Sequence, residues 1–173
     1  MMPPHKPSTH KSVAQQLLPQ LENELKYIAV DANQVDTCLE FYRELEFLNQ
    51  GHVEAFCPAS NKITLAQKIN QADYHIELVY WHDEVIGLIE YSSDNQANSN
   101  YLNNLFLRRQ YRSSGFAEVI LQHVYGYFKQ QQKQQLLSKI NINNNLAMRF
   151  FRKHQWQYYG QPQEQTQWMQ MEL

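Results

Sequence analysis

Apolar residues recur along this chain with two periods, and the switches between them outline its elements. Pro19 suits the first turn of a short helix that carries Leu21 and Leu25 on one side. Lys26-Tyr27-Ile28-Ala29-Val30 reads as a strand ended by Asp31. Asp31 or Asn33 then caps a helix over 33–48, because Val35, Leu39, Tyr42 and Leu45 fall at helical spacing. A helix over 62–71 follows. Strands over 74–81 and 85–91 are joined by the hairpin-length segment Trp81-His82-Asp83-Glu84. The polar loop 92–99 leads to a strand over 101–108. From Gly115 the period returns to about 3.6 residues, with Val119, Ile120, Val124, Tyr127 and Phe128 on one face. Leu136 to Ile142 is a strand, Asn145 to His154 a helix, and 156–159 with 166–173 a closing hairpin around the loop 160–165. Residues 1–20 are expected to be a flexible tail ahead of one domain over 21–173.

The composition narrows the class. A chain of 173 residues, 43% hydrophobic, can bury a real core as one domain. Its mean hydropathy of -0.64 and densest apolar stretch, Val85 to Ile89, give nothing near the roughly 20 residues of a spanning helix. The start, Met-Met-Pro-Pro-His-Lys-Pro, lacks the apolar stretch of a secretory signal, so a cytoplasmic protein is expected. Cys38 and Cys57 form no disulfide framework and no metal-ligand pattern; both read as reduced packing residues, and no metal is expected. Charge is unevenly placed. Up to Asn104 there are six bases against fourteen acids, and from Leu105 onward nine against three. A basic second half suits an anionic ligand, and an acidic first half suits a cationic one.

The junction Leu105-Phe106-Leu107-Arg108-Arg109-Gln110-Tyr111-Arg112-Ser113-Ser114-Gly115-Phe116-Ala117 carries the candidate chemistry: a strand runs into a helix through small residues. First-turn amides of a helix have no internal partner, and with the helix dipole they form an anion site suited to phosphate or pyrophosphate. Arg112 adds charge, Ser113 and Ser114 add hydroxyl donors, and Gly115 lets the backbone approach a ligand. The same residues also serve as an ordinary helix cap.

Arg112-Ser113-Ser114-Gly115-Phe116-Ala117 resembles the Arg/Gln-x-x-Gly-x-Gly/Ala signature of the GNAT superfamily of N-acetyltransferases. Asn144 to Trp156 is similar to that family's second stretch, Asn-x-x-Ala-x-x-Phe-Tyr-x-x-x-Gly-Phe, one helix and one strand further on. The resemblance covers roughly 25–173. It implies an α/β (α+β) fold of GNAT type, with a central, mostly antiparallel mixed sheet of about six or seven strands flanked by about four helices. It also implies acetyl-CoA as cofactor. Backbone groups of Phe106 and Leu107 would pair with the pantetheine arm, and the amides of Arg112, Ser113, Ser114, Gly115, Phe116 and Ala117 would hold the pyrophosphate. Asn144 would bond the arm from the other side, and Phe151 would pack on the cofactor.

The expected activity is transfer of an acetyl group to a primary amine, by direct attack on a thioester polarised by an N–H near Leu107. The acceptor is a small molecule or a protein amino group, and Asp31, Asp36, Glu40 and Glu44 favour a cationic one. A base is needed because an alkylamine of pKa about 10.4 is protonated at neutral pH. Glu90 is the first candidate, and Asn103 or Asn104 holding a relay water is the other. The family's thiolate-protonating Tyr is Phe151 here, which leaves Tyr158, Tyr159 or His154 as acids; Gln155 replaces a Gly. An inactive acyl-CoA-binding relative is the alternative reading. A nucleic-acid module built on Arg108, Arg109 and Arg112 conflicts with a pI of 6.4, and a pure interaction protein would be blind to CoA. A monomer or homodimer without nucleic-acid or membrane partners is expected.

Overall fold

The computed structural model describes residues 13–173, with side chains from Leu18 onward. A helix α1 (Val13–Glu24) opens the fold, followed by β1 (Leu25–Ala29), α2 (Val35–Gln50), α3 (Pro58–Ile69), β2 (Tyr74–Trp81), β3 (Glu84–Asp94) and β4 (Ser99–Leu107). Then come α4 (Phe116–Gln130), β5 (Gln135–Asn141), α5 (Asn145–Lys153), β6 (Gln157–Gln163) and β7 (Thr166–Glu172). The seven strands form one mixed sheet in the order β1-β2-β3-β4-β5-β7-β6. The fold is the α/β class expected, with five α-helices among the described residues rather than about four. No described helix is long and apolar enough to cross a membrane.

Helices cover both faces of the sheet. The α4 stripe of Val119, Ile120, Val124 and Phe128 is buried with Ile89, Tyr91 and Leu102, and Leu18 and Leu21 of α1 pack against that cluster. On the other face Cys38 and Phe41 of α2 and Leu65 of α3 bury Leu78, Leu88 and Phe106. Asp31 caps the 3-10 turn Ala32–Gln34 that leads into α2 rather than α2 itself: its carboxylate accepts from Asn33 N at 2.7 Å and Gln34 Oε1 accepts from Asp31 N at 2.8 Å, while α2 follows from Gln34 without a side-chain cap.

Three segments differ from the sequence reading. Residues 13–20 belong to α1, not to a tail, and Pro19 sits inside that helix rather than in its first turn; residues 1–12 lie outside the described residues. Helix α3 begins at Pro58, which takes the first-turn position where a missing N–H costs nothing. Strand β6 continues through the expected loop to Gln163, because a register shift after Tyr159 absorbs Gly160 and Pro162.

Two irregularities shape the middle of the sheet. Glu90 pairs with Asn104 and Tyr91 with Leu102, so Asn103 is the extra residue of a β4 bulge. At Gly87 a Cβ would stand 2.5 Å from the Phe106 carbonyl oxygen, so only glycine lets β3 and β4 approach this closely. Gly87→Ala must displace backbone, and we expect it to cost about 1–3 kcal/mol in a denaturant melt.

The β4–β5 pairing is the sheet's one parallel contact, with the single register pair Tyr101↔Leu137. Side chains reinforce it at that end: Asn100 Nδ2 donates to Gln135 O at 3.1 Å and Ser138 Oγ to Leu102 O at 2.8 Å. Past Leu102 no tie between the two strands is found among the described residues, and β4 runs on with one edge open.

Candidate functional site

The open edge of β4 can be assigned residue by residue. Arg108 N donates to Ile86 O of β3 at 2.9 Å. Strand groups alternate sides, so Phe106 turns its backbone to β3, whereas Leu105 and Leu107 turn theirs away from it. Arg112 Nε donates to Leu107 O at 2.8 Å, as that polarity requires. The free edge therefore belongs to Leu105 and to the Leu107 N–H, with Leu107 O already taken by Arg112, rather than to Phe106 and Leu107 as the sequence suggests.

This edge is one wall of a groove of about 430 Å³. Leu45 and Leu48 of α2 face it, Ala147, Phe150 and Phe151 of α5 make an apolar wall, and Arg112, Ser113, Ala117 and Glu118 close one end. At that end the backbone turns sharply, with φ of 63° at Ser113 and 89° at Gly115, and α4 starts without a side-chain cap. The amides of Ser113 to Ala117 have no acceptor among the described residues, and Arg112, Arg149 and Lys153 line the groove around them. A Cβ on Gly115 would meet Leu18 Cδ2 at 3.4 Å and Leu21 Cδ1 at 3.5 Å. Glycine is thus required here by its φ, not by ligand clearance.

Seven of the ten expected cofactor residues line this groove: Phe106, Leu107, Arg112, Ser113, Ala117, Asn144 and Phe151. Ser114 and Gly115 lie in the turn itself, and Phe116 is buried against Trp81 at 5.2 Å between ring centroids. Asn144 caps α5 by accepting from Ala147 N at 3.1 Å, and its Nδ2 donates to Asn49 Oδ1 of α2 at 3.0 Å. Glu118, Lys153 and Leu48 are not singled out by the sequence, although Leu48 continues the α2 spacing that contains Leu45.

The Glu118 carboxylate sits 2.9 Å from Lys153 Nζ and 3.5 Å from His154 Nε2. Burial pushes its pKa up, but the Lys153 hydrogen bond, its own backbone amide and the two nearby bases outweigh this and leave it lowered. Burial lowers the pKa of His154 against the pull of Glu118.

The expected catalytic residues divide. Glu90 is completely buried beside the groove without lining it. Its Oε2 accepts from Tyr74 OH at 2.6 Å and from Lys68 Nζ at 3.0 Å. Its Oε1 and the Tyr42 hydroxyl are both buried without a partner among the described residues. Asn104 is directly across the ladder from Glu90, and Asn103 Nδ2 donates to Ser92 Oγ at 2.8 Å. Tyr158, 53% exposed on β6, does not line the groove, nor do Tyr159 and His154.

Burial, and then the charge of Glu90, raises the phenol pKa values of Tyr42 and Tyr74. Burial and then Glu77 do the same for Tyr27 and Tyr91. The folded state holds these four protons more tightly than the unfolded chain, whose phenols titrate near pH 10. Stability from them is complete below about pH 10 and is lost as pH rises toward the folded values. We expect denaturant midpoints to fall steeply above about pH 10, together with the rise of phenolate absorbance.

A family model described as an acetyltransferase (GNAT) domain matches residues 48–173. The chain belongs to the GNAT acetyltransferases. Solved structures share the fold of this GNAT domain: an acetyltransferase from Thermus thermophilus at 14% identity and TM-score 0.75, covering 86% of this chain and 97% of that one. The PaiA N-acetyltransferase from Thermoplasma acidophilum, solved with coenzyme A, is 16% identical at TM-score 0.74, with 86% and 99% covered. A spermidine N-acetyltransferase from Vibrio cholerae, solved with CoA and spermine, is 11% identical at TM-score 0.67, with 87% and 96% covered. No curated protein matches the sequence. GNAT acetyltransferases use acetyl-CoA, and the donor set of this groove fits it: free amides and bases at one end, apolar walls, and an open strand edge between.

Proposed function

We propose that this GNAT domain transfers the acetyl group of acetyl-CoA to a primary amine. The observation that carries the reading is the divergence of β4 from β5 after Tyr101↔Leu137, which leaves strand donors and acceptors free above a groove ending at unpaired α4 amides. Leu105 and Leu107 receive the pantetheine arm as an added strand. The amides of 113–117 with Arg112 hold the pyrophosphate, and Asn144 and Phe151 bound the groove opposite. The acyl donor supplies an activated thioester. The Leu105 N–H, next to Asn104 and so toward Glu90, polarises its carbonyl. Glu90, directly or through a water at Asn104, accepts the proton that the attacking amine must lose.

Thermal stabilisation by acetyl-CoA followed by CoA release across a panel of primary amines tests this. Stabilisation with release for at least one amine is expected, and absence of stabilisation overturns the reading. Phe151 in place of a hydroxyl-bearing ring, with Tyr158 off the groove, favours one second reading: an acyl-CoA-binding domain without turnover. Stabilisation with no release across the panel would establish it. The Glu118 carboxylate opposes a diphosphate at the α4 terminus and occupies Lys153. Glu118→Gln is therefore expected to tighten CoA binding by roughly threefold to tenfold, about 1 kcal/mol, in a titration at low salt, and less as salt is added.

A further inference from the structure

Glu90 alone among the described charged residues is buried. A lone carboxylate in such a place would be costly, and the chain supplies a primary amine: Lys68 Nζ at 3.0 Å, with the Tyr74 and Tyr42 ring centroids 5.0 Å and 5.8 Å away. Lys68 itself stays reachable, with 27% of its side chain exposed.

Two chain segments lead from the groove to this cluster. On α2, Leu45 lines the groove, and Tyr42 lies one turn earlier against the same core, about 4.5 Å along the helix axis. On the sheet, Leu105 lines the groove, Asn104 precedes it, and Glu90 faces Asn104. Groove-lining Phe106 is diagonal to Glu90 at about 7–8 Å. The cluster therefore borders the groove away from the α4 terminus, where the acetyl end of the donor belongs if the cofactor lies as proposed above.

We propose that Lys68 is a self-acetylation site of this protein. The inference rests on the reading of the groove given under Proposed function. Glu90 Oε2 takes a proton from the Lys68 ammonium, and the freed lone pair attacks the acetyl carbonyl carbon of acetyl-CoA. The N–C bond forms, the C–S bond breaks, and CoA leaves as thiolate. Of the two protons that the ammonium gives up, one passes through Glu90 to solvent and the other ends on the CoA sulfur. The product is a neutral amide that can no longer pair with Glu90. Self-modification thus removes the one cation held against the buried carboxylate.

The test incubates the full chain with acetyl-CoA bearing a deuterated acetyl group and maps the label by peptide mass spectrometry. Label is expected at Lys68, at a rate independent of protein concentration and about 10²-fold above that at Lys62 and Lys153, which are 59% and 69% exposed. Glu90→Gln should slow it by about 10²–10⁴. If that variant does not fold, the label pattern of the natural chain still decides. Equal rates at Lys68, Lys62 and Lys153 would overturn the proposal as simple chemical acetylation. So would no label at Lys68 while an added primary amine is turned over, which leaves the proposed function intact. No label and no amine turnover would overturn both.

Discussion

Gly115→Val should weaken acetyl-CoA binding by about tenfold or more and lower stability by about 1–2 kcal/mol, the cost of forcing an L-residue into left-handed backbone. The reason is the φ of 89°, which a β-branched side chain does not adopt. The new side chain would point at Leu18 and Leu21 of α1, so the first contact it strains is the packing of α1 on the α4 terminus. Relief comes by rotating the turn 113–117, and that rotation re-aims the amides on which the anion site depends. Affinity and stability are therefore expected to fall together. A titration calorimeter and a denaturant melt read them separately. Lost stability with unchanged affinity would mean that the turn is a cap and nothing more.

Lys68→Met is expected to have the largest effect on stability, about 3 kcal/mol at neutral pH, because Glu90 is left as an uncompensated buried charge. The residual bonds from Tyr74, and from Tyr42 after a small rotation, soften that loss without replacing a cation. Lys68→Met combined with Glu90→Gln should recover much of the loss, since the double variant buries no charge. Denaturant melts of the natural chain and the two variants measure this. A single variant as stable as the natural chain would show that the buried Glu90 does not depend on Lys68 for its compensation.

How much of this was legible in the sequence depends on how local the signal is. Helix α4 carries a continuous stripe from Val119 to Phe128, and the Trp81–Glu84 turn lies between two clear strands, so both are readable from spacing. The Gly115 corner was readable for the same reason: strand, small residues and helix are contiguous. Elements that hinge on a partner elsewhere were not. The β6 strand crosses Gly160 and Pro162 because β7 holds it, and the Asn103 bulge exists only in register with Glu90 and Tyr91. Glu90 could be placed next to the strand 101–108, yet its partners Lys68 and Tyr42 come from two helices distant in sequence. Glu118 reads as an ordinary first-turn acid, and only α5 bringing Lys153 beside it makes it part of the groove.

Backbone hydrogen exchange with and without CoA measures the central claim most directly, since a cofactor held by peptide groups must slow their exchange. Protection should appear at Leu105, Leu107 and 113–117, with β1 and β2 unchanged. Binding that leaves those amides exchanging as before, or protects a different part of the chain, would contradict the account.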